Sequence, residues 1–161
     1  MQQPEFQLRA ANGDDLDVTF KFFAQAQTHH ADAQPDFFRK PEKDESFEKF
    51  FNYVLNDPHQ YAVFCCAGGR EIGYVQYFLG VSPQTIYQPE RKIAHIGQLA
   101  VTPEYRRSGC ATKLIEHVKD EARRQEVVQV GLEFWLFNDG ARACFENAGF
   151  KINQGSMWLN L

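Results

Sequence analysis

Basic residues are in short supply: 17 Lys and Arg stand against 21 Asp and Glu, for a formal net charge of −4. A chain without a basic excess lacks the field that displaces counterions from a phosphate backbone, so general nucleic-acid binding is excluded as a reading. Cysteine is sparse as well, with four residues at 65, 66, 110 and 144 and no Cys-x-x-Cys spacing. Strand neighbours face opposite ways, so Cys65 and Cys66 are poorly placed to share a zinc ion or a disulfide. Reduced thiols in a cytoplasmic protein are the simplest expectation. No apolar run is long enough to cross a bilayer and no signal-peptide pattern follows Met1, so no membrane partner is expected. Internal repeats, low-complexity tracts, a G-x-x-x-x-G-K-[ST] phosphate loop and a G-x-G-x-x-G turn are all missing.

Aromatic residues are what the chain has in quantity: 15 Phe, 6 Tyr and 2 Trp in 161 residues. That supply and that length fit one domain, 1–161, with a sizeable core. "EFQLRA" (5–10) reads as a first strand. A helix then runs to about His30, with Asp14 or Asp15 as its cap and Leu16, Phe20, Phe23 and Ala24 at helical spacing. A second helix, about Asp44 to Asn56, carries Phe47, Phe50, Phe51 and Val54 on one side and stops at Asp57-Pro58. "YAVFCCA" and "EIGYVQYFLGV", joined through Gly68-Gly69-Arg70, give a hairpin signal. "KIAHIGQLAV" is a further strand, ended by Pro103. A third helix spans about 109–125, and "VVQVGLEFWLF" reads as a long strand. A short helix over 139–148 closes at Gly149, and "KINQGSMWLNL" supplies the last strand or strands. The strand–helix–strand passage at 92–136 implies a right-handed parallel crossover in a mixed sheet. The class is α+β (mixed α/β), without a doubly wound repeat.

"YRRSGCATKLIEHV" (105–118) places Arg106, Arg107 and Gly109 directly before an amphipathic helix. Helix N-termini carry unpaired N–H groups and favour anions. Gly109 and the small Ala111 allow close approach, and Ser108 either caps the helix or bonds a phosphate oxygen. On these residues alone, an anion cradle and a solvated basic turn fit equally well.

Taken with its neighbours, "LAVTPEYRRSGCATKLIEHV" resembles the coenzyme-binding motif of the GNAT superfamily of N-acetyltransferases, [QR]-x-x-G-x-[GA], here Arg106-x-x-Gly109-x-Ala111. "NDGARACFENAGF" is similar to the family's second signature, through Asn138, Ala141, Phe145, Gly149 and Phe150. The element order is similar too, over nearly the whole chain. The resemblance implies a central, mostly antiparallel twisted sheet with helices on both faces and a splayed parallel strand pair. It implies acetyl-CoA as cosubstrate and no metal. The pyrophosphate would lie on backbone amides of Arg107, Ser108, Gly109, Cys110 and Ala111. The pantetheine arm would run beside Leu99, Ala100 and Val101 like an added strand, and Asn138 and Phe145 would border it. The acceptor would be a small-molecule amine or a protein N-terminus; a homodimer stays open.

Acetyl transfer needs a neutral amine, a donor for the thioester oxygen and a leaving thiolate. A free alkyl amine titrates near ~10.4, so a base or a water chain must take its proton. His95 is the first candidate, read as sharing a strand face with Gly97 and Leu99, and its imidazole suits the task. Glu133 is the second, since a carboxylate in so apolar a strand must face an open slot or find a partner. A backbone N–H near Leu99 or Ala100 would serve the oxygen. One departure from the family stands out: the position that often carries a tyrosine acid is Phe145, which has no proton to give. For the stretch "THHADAQPDFF" (28–38) the resemblance implies one wall of the acceptor pocket, with His30, Asp32 and Asp36 available to an amine; the residues alone fit ordinary capping and turn chemistry equally well. An acyl-CoA-binding sensor without turnover and a nucleotide-binding module remain alternatives.

Overall fold

The computed structural model describes residues 5–159. Its strands are β1 (Gln7–Ala10), β2 (Gln60–Ala67), β3 (Arg70–Ser82), β4 (Arg91–Val101) and β5 (Gln129–Leu132). Its α-helices are α1 (Leu16–Ala33), α2 (Glu45–Asn56), α3 (Cys110–Arg124) and α4 (Asp139–Asn147). The strands lie in sequence order, β1-β2-β3-β4-β5, antiparallel throughout except for the parallel β4–β5 pair. This is the mixed, mostly antiparallel sheet expected. The β2–β3 turn is the two-residue Gly68-Gly69, with φ of 55° and 76°, the doubly left-handed turn that suits the twist of paired strands.

Two apolar layers cover the sheet. On one face Val75, Tyr77, Leu79, Ala94 and Ile96 meet Cys110, Leu114 and Val118 of α3. On the other, Phe64, Tyr74 and Ala100 meet Phe22 of α1 and Val54 of α2. Phe22 is thus the sheet-facing ring of α1. Phe20 and Phe23 instead pack on Phe47, at 5.0 and 5.1 Å between centroids, tying α1 to α2. Phe47, Phe51 and Val54 are buried as expected of one α2 face, whereas Phe50 is turned outward.

Neither Asp14 nor Asp15 caps α1 with its side chain. Asn12 caps a preceding 3₁₀ turn, and Asp15 Oδ2 accepts from the Asn12 N–H at 2.8 Å. The same carboxylate receives both guanidinium nitrogens of Arg9, at 2.7 and 2.9 Å, and Arg9 also donates to Glu71 at 2.6 Å. This fork holds β1, β3 and the start of α1 together. It lowers the pKa of Asp15 and of Glu71, chiefly through the hydrogen bonds from Arg9.

Two expected strands are corrected. β5 ends at Leu132 rather than running to Phe137, because its partner β4 bulges after Ile96 and turns away. Residues 151–159 form no strand: Asn153-Gln154-Gly155-Ser156 is a run of poor strand formers, and Met157, Trp158 and Leu159 are exposed. Residues 160–161 of that expected strand lie outside the described residues.

Candidate active site

The anion turn is built from strained backbone. Gly109 precedes α3 with φ 94°, and Arg107 adopts φ 60°, a left-handed conformation uncommon outside glycine. Ser108 does not cap the helix, because its hydroxyl donates to the Tyr105 carbonyl at 2.6 Å. The first intrahelical bond here is Lys113 N–H to Gly109 O. The N–H groups of Arg107, Gly109, Cys110 and Ala111 find no acceptor among the described residues. Cys110 contributes only backbone, since its thiol is buried against β3. A Cβ at Gly73 would lie 2.5 Å from its Sγ, so that glycine lets the helix start sit on the sheet. Arg106 and Arg107 are exposed, and no carboxylate pairs with either among the described residues. Four backbone donors without acceptors among the described residues, two exposed guanidinium groups and the positive end of a helix dipole are therefore gathered in the turn between β4 and α3.

That turn follows an unpaired strand edge. β4 is bonded to β3 along its whole length but to β5 only from Ile93 to Ile96. The Thr102 N–H donates to Ile72 O. By the alternation of an antiparallel ladder, Ala100 likewise spends its peptide groups on β3, while those of Leu99 and Val101 point to the open side. Gln25 of α1 already reaches across, donating to Val101 O at 2.9 Å. No motif signalled that bond, because it depends on where α1 crosses the sheet.

The β3–β4 register moves from Gln76↔Gln98 to Tyr77↔Ile96, leaving Gly97 as an unpaired bulge residue. The bulge corrects the expected facing of His95. Leu99 and Val101 pack with Ile96 on the α3 side, so His95, which alternates with Ala94 and Ile96, faces the α1 side. It stands half-buried beside β5: a Cβ at Gly131 would lie 3.7 Å from its Nδ1. Glu133 follows the end of β5 and is exposed, so it does not meet the desolvation that an interior strand position would impose.

Asn138 is the N-cap of α4, its Oδ1 accepting from Ala141 N–H at 3.1 Å. The bond fixes the side chain with its amide donors unspent. Phe145 packs edge-on against Phe150 at 6.0 Å. Tyr105 lies against the α3-side core and Tyr87 in the exposed 83–90 loop.

The end of α1 and the stretch after it join an aromatic cluster. His30 lies 5.2 Å from Phe38 and 5.9 Å from Phe137; Trp135 lies 4.8 Å from Phe38 and 6.2 Å from Phe137. Trp135 and Phe137 are the residues expected in the long strand; they turn off the sheet to meet the end of α1. The His30 Nδ1 is buried without a partner among the described residues, and burial, with a smaller effect from His29, lowers its basicity. Asp36 is exposed, while Asp32 is engaged by Lys40.

The β4 edge beyond Ile96 is thus left unpaired by β5, and the turn that follows it in the chain carries free backbone amides. Comparison with known proteins names the family. The model of the acetyltransferase (GNAT) family matches residues 27–150, and the chain belongs to that family. A curated relative, the [ribosomal protein bS18]-alanine N-acetyltransferase of Escherichia coli K12, is 37% identical over 58 residues, 36% of this chain and 39% of the relative's length. The chain thus matches well under half of that relative. A tetramutant of the BH1408 protein from Bacillus halodurans superposes with a TM-score of 0.90 at 19% identity, covering 96% of this chain and 99% of that one. The aminoglycoside N-acetyltransferase AAC(6′)-Iy, in complex with CoA, gives 0.77 at 15% identity, covering 99% and 97%. These structural likenesses carry the fold.

Proposed function

We propose that the chain is an acetyl-CoA-dependent N-acetyltransferase that passes the acetyl group to a primary amine by direct attack. The observation that supports this most is the continuity of two features. The free amides of Arg107, Gly109, Cys110 and Ala111 follow the β4 edge on which no strand pairs with Leu99 and Val101, the Val101 carbonyl being taken by Gln25. An extended acyl chain on a pyrophosphate needs both, in that order. Arg106 and Arg107 would add charge at the phosphates, and the amide of Asn138 would reach the arm. The coenzyme supplies a thioester, whose carbonyl carbon is open to attack.

His95 would take the amine proton, directly or through water; Glu133 is the second candidate, with free access to solvent. The Leu99 N–H points to the open side and would face the thioester oxygen as charge builds on it. That of Ala100 is spent on β3 and would not. Phe145 supplies no acid. A thiol titrates near ~8.5, so the thiolate leaves without help at modest cost. Cys110 and Cys144 offer no ready route through an acyl-enzyme: the hydrogen bond with Cys65, then burial, raises the Cys110 thiol, and burial raises that of Cys144. The acceptor wall of His30, Phe38, Trp135 and Phe137 suits an amine with an apolar neighbour, with Asp36 at its rim. Among the described residues no helix is long and apolar enough to cross a membrane, which accords with the cytoplasmic setting proposed for the protein.

Phe145 favours one second reading, an acyl-CoA sensor of the same fold without turnover. Thiol release in the presence of amines separates the two. Release with any of an alanine-initiated peptide, kanamycin or spermidine supports the transferase. Tight acetyl-CoA binding with no release on any amine supports the sensor.

A further inference from the structure

A buried carboxamide faces the β4 bulge, and no step outlined above uses it. Gln76 lies on β3, on the sheet face that carries Tyr74 and Ala100, and is only 8% exposed. Its Nε2 donates to Gln60 Oε1 at 2.6 Å, and Gln60 Nε2 in turn reaches the Tyr53 hydroxyl at 3.4 Å. This relay spends the donor side of the Gln76 amide and turns its Oε1 toward Gly97. A Cβ at Gly97 would lie 2.3 Å from that oxygen, so a side chain at the bulge would displace it. Directly across the ladder stands Gln98. Its Oε1 is buried and has no partner among the described residues. Buried acceptors are normally paired, and leaving one without a donor is costly.

Gln76 and Gln98 thus stand side by side next to the bulge at which β4 parts from β5, on the face where His95 stands. We propose that Gln76 and Gln98 receive the N–H groups of the acceptor's amino group and hold its nitrogen at the bulge; this rests on the transferase reading above. A primary amine can donate to both oxygens and still aim its lone pair at the thioester. A hydroxyl has one hydrogen and can satisfy only one of them. The neutrality of the carboxamides matters equally. A carboxylate at the same place would stabilise the ammonium form and oppose its deprotonation, whereas a carboxamide accepts the hydrogen bond without adding a unit charge. Gln76 and Gln98 are therefore substrate-positioning residues that select for nitrogen.

The test needs no knowledge of the natural acceptor. Two CoA conjugates, CoA-S-CH₂-CO-NH-C₂H₅ and the ester CoA-S-CH₂-CO-O-C₂H₅, differ in one N–H at the acceptor position. Calorimetric titration of the wild-type protein should show the amide favoured by about tenfold, the usual worth of a hydrogen bond to a buried acceptor. The double variant Gln76→Leu/Gln98→Leu should abolish that preference while CoA itself binds within about twofold of wild type. Gln76→Glu should keep the preference but move the pH–rate profile for any amine turned over to higher pH. Equal wild-type affinity for amide and ester, or a preference that survives the double substitution, overturns the inference and leaves the coenzyme site standing. Failure of wild-type protein to bind CoA overturns the transferase reading, and this inference with it. Should the double variant not fold, the wild-type ratio decides the matter.

Discussion

At Gly109 one residue type serves two needs. Its φ of 94° lies in the left-handed region, and its backbone stands where an anion would approach. Gly109→Glu adds strain, bulk and a negative charge together, and should weaken acetyl-CoA binding by about 100-fold or more, or ~3 kcal/mol. Gly109→Ala, which adds strain alone, should cost far less; calorimetry on both variants separates anion binding from mere disruption of the turn. His95→Ala should lower kcat by about 100-fold, most steeply near neutral pH, while acetyl-CoA affinity stays within error. An unaltered pH–rate profile would transfer the role to Glu133. The turn residues and Asn138 were legible in the sequence because their motifs are local. Gln25, Gln76 and Gln98 were not: what each does depends on a strand register or a helix crossing that no local pattern encodes. The facing of His95 was misread for the same reason, since one bulge residue reverses the alternation that a strand sequence implies.

Between elements, the contact that seats the coenzyme helix is the approach of α3 to β3 at Gly73. Gly73→Ala places a methyl 2.5 Å from Cys110 Sγ and should cost ~1–3 kcal/mol through overpacking. Cys110→Ala in the same chain removes the clash. Chemical denaturation of both single mutants and the double mutant should therefore reveal a positive coupling, with coenzyme affinity falling and recovering in step. The Arg9 fork to Asp15 and Glu71 gives stability a pH dependence of known sign. Both carboxyls are depressed in the folded state, so their contribution is present above the ordinary values of 3.8 and 4.5 and is lost as pH falls through the folded-state values. His30 acts in an earlier window. Its folded-state value lies below 6.5, so the unfolded chain binds the proton first and stability begins to fall below that pH. Urea denaturation from pH 7 to 3 should show both stages, with His30→Phe removing much of the first and Arg9→Met most of the second. The helices and the β2–β3–β4 meander were readable from periodicity and Gly-Gly punctuation. The length of β5 was not: "GLEFWLF" satisfies strand propensity, but the bulge in its partner denies it a ladder after Leu132.

For the whole molecule, the sheet is an antiparallel meander that takes one parallel strand at its edge, and the site lies where that last pair separates. Two helices cover one face and α3 the other, so a ligand in the gap touches both layers. In the proposed transferase the coenzyme would take the α3 turn and the β4 edge, and the acceptor the aromatic cluster of His30, Phe38, Trp135 and Phe137. Loss of acceptor binding should therefore leave coenzyme binding intact. The most direct test of this account is titration of the wild-type protein with acetyl-CoA, with ATP as competitor. The account predicts one acetyl-CoA per chain, with binding lost in Gly109→Glu and indifferent to ATP. Binding of ATP with no response to acetyl-CoA would contradict it, making the α3 turn a nucleotide site and the open β4 edge incidental.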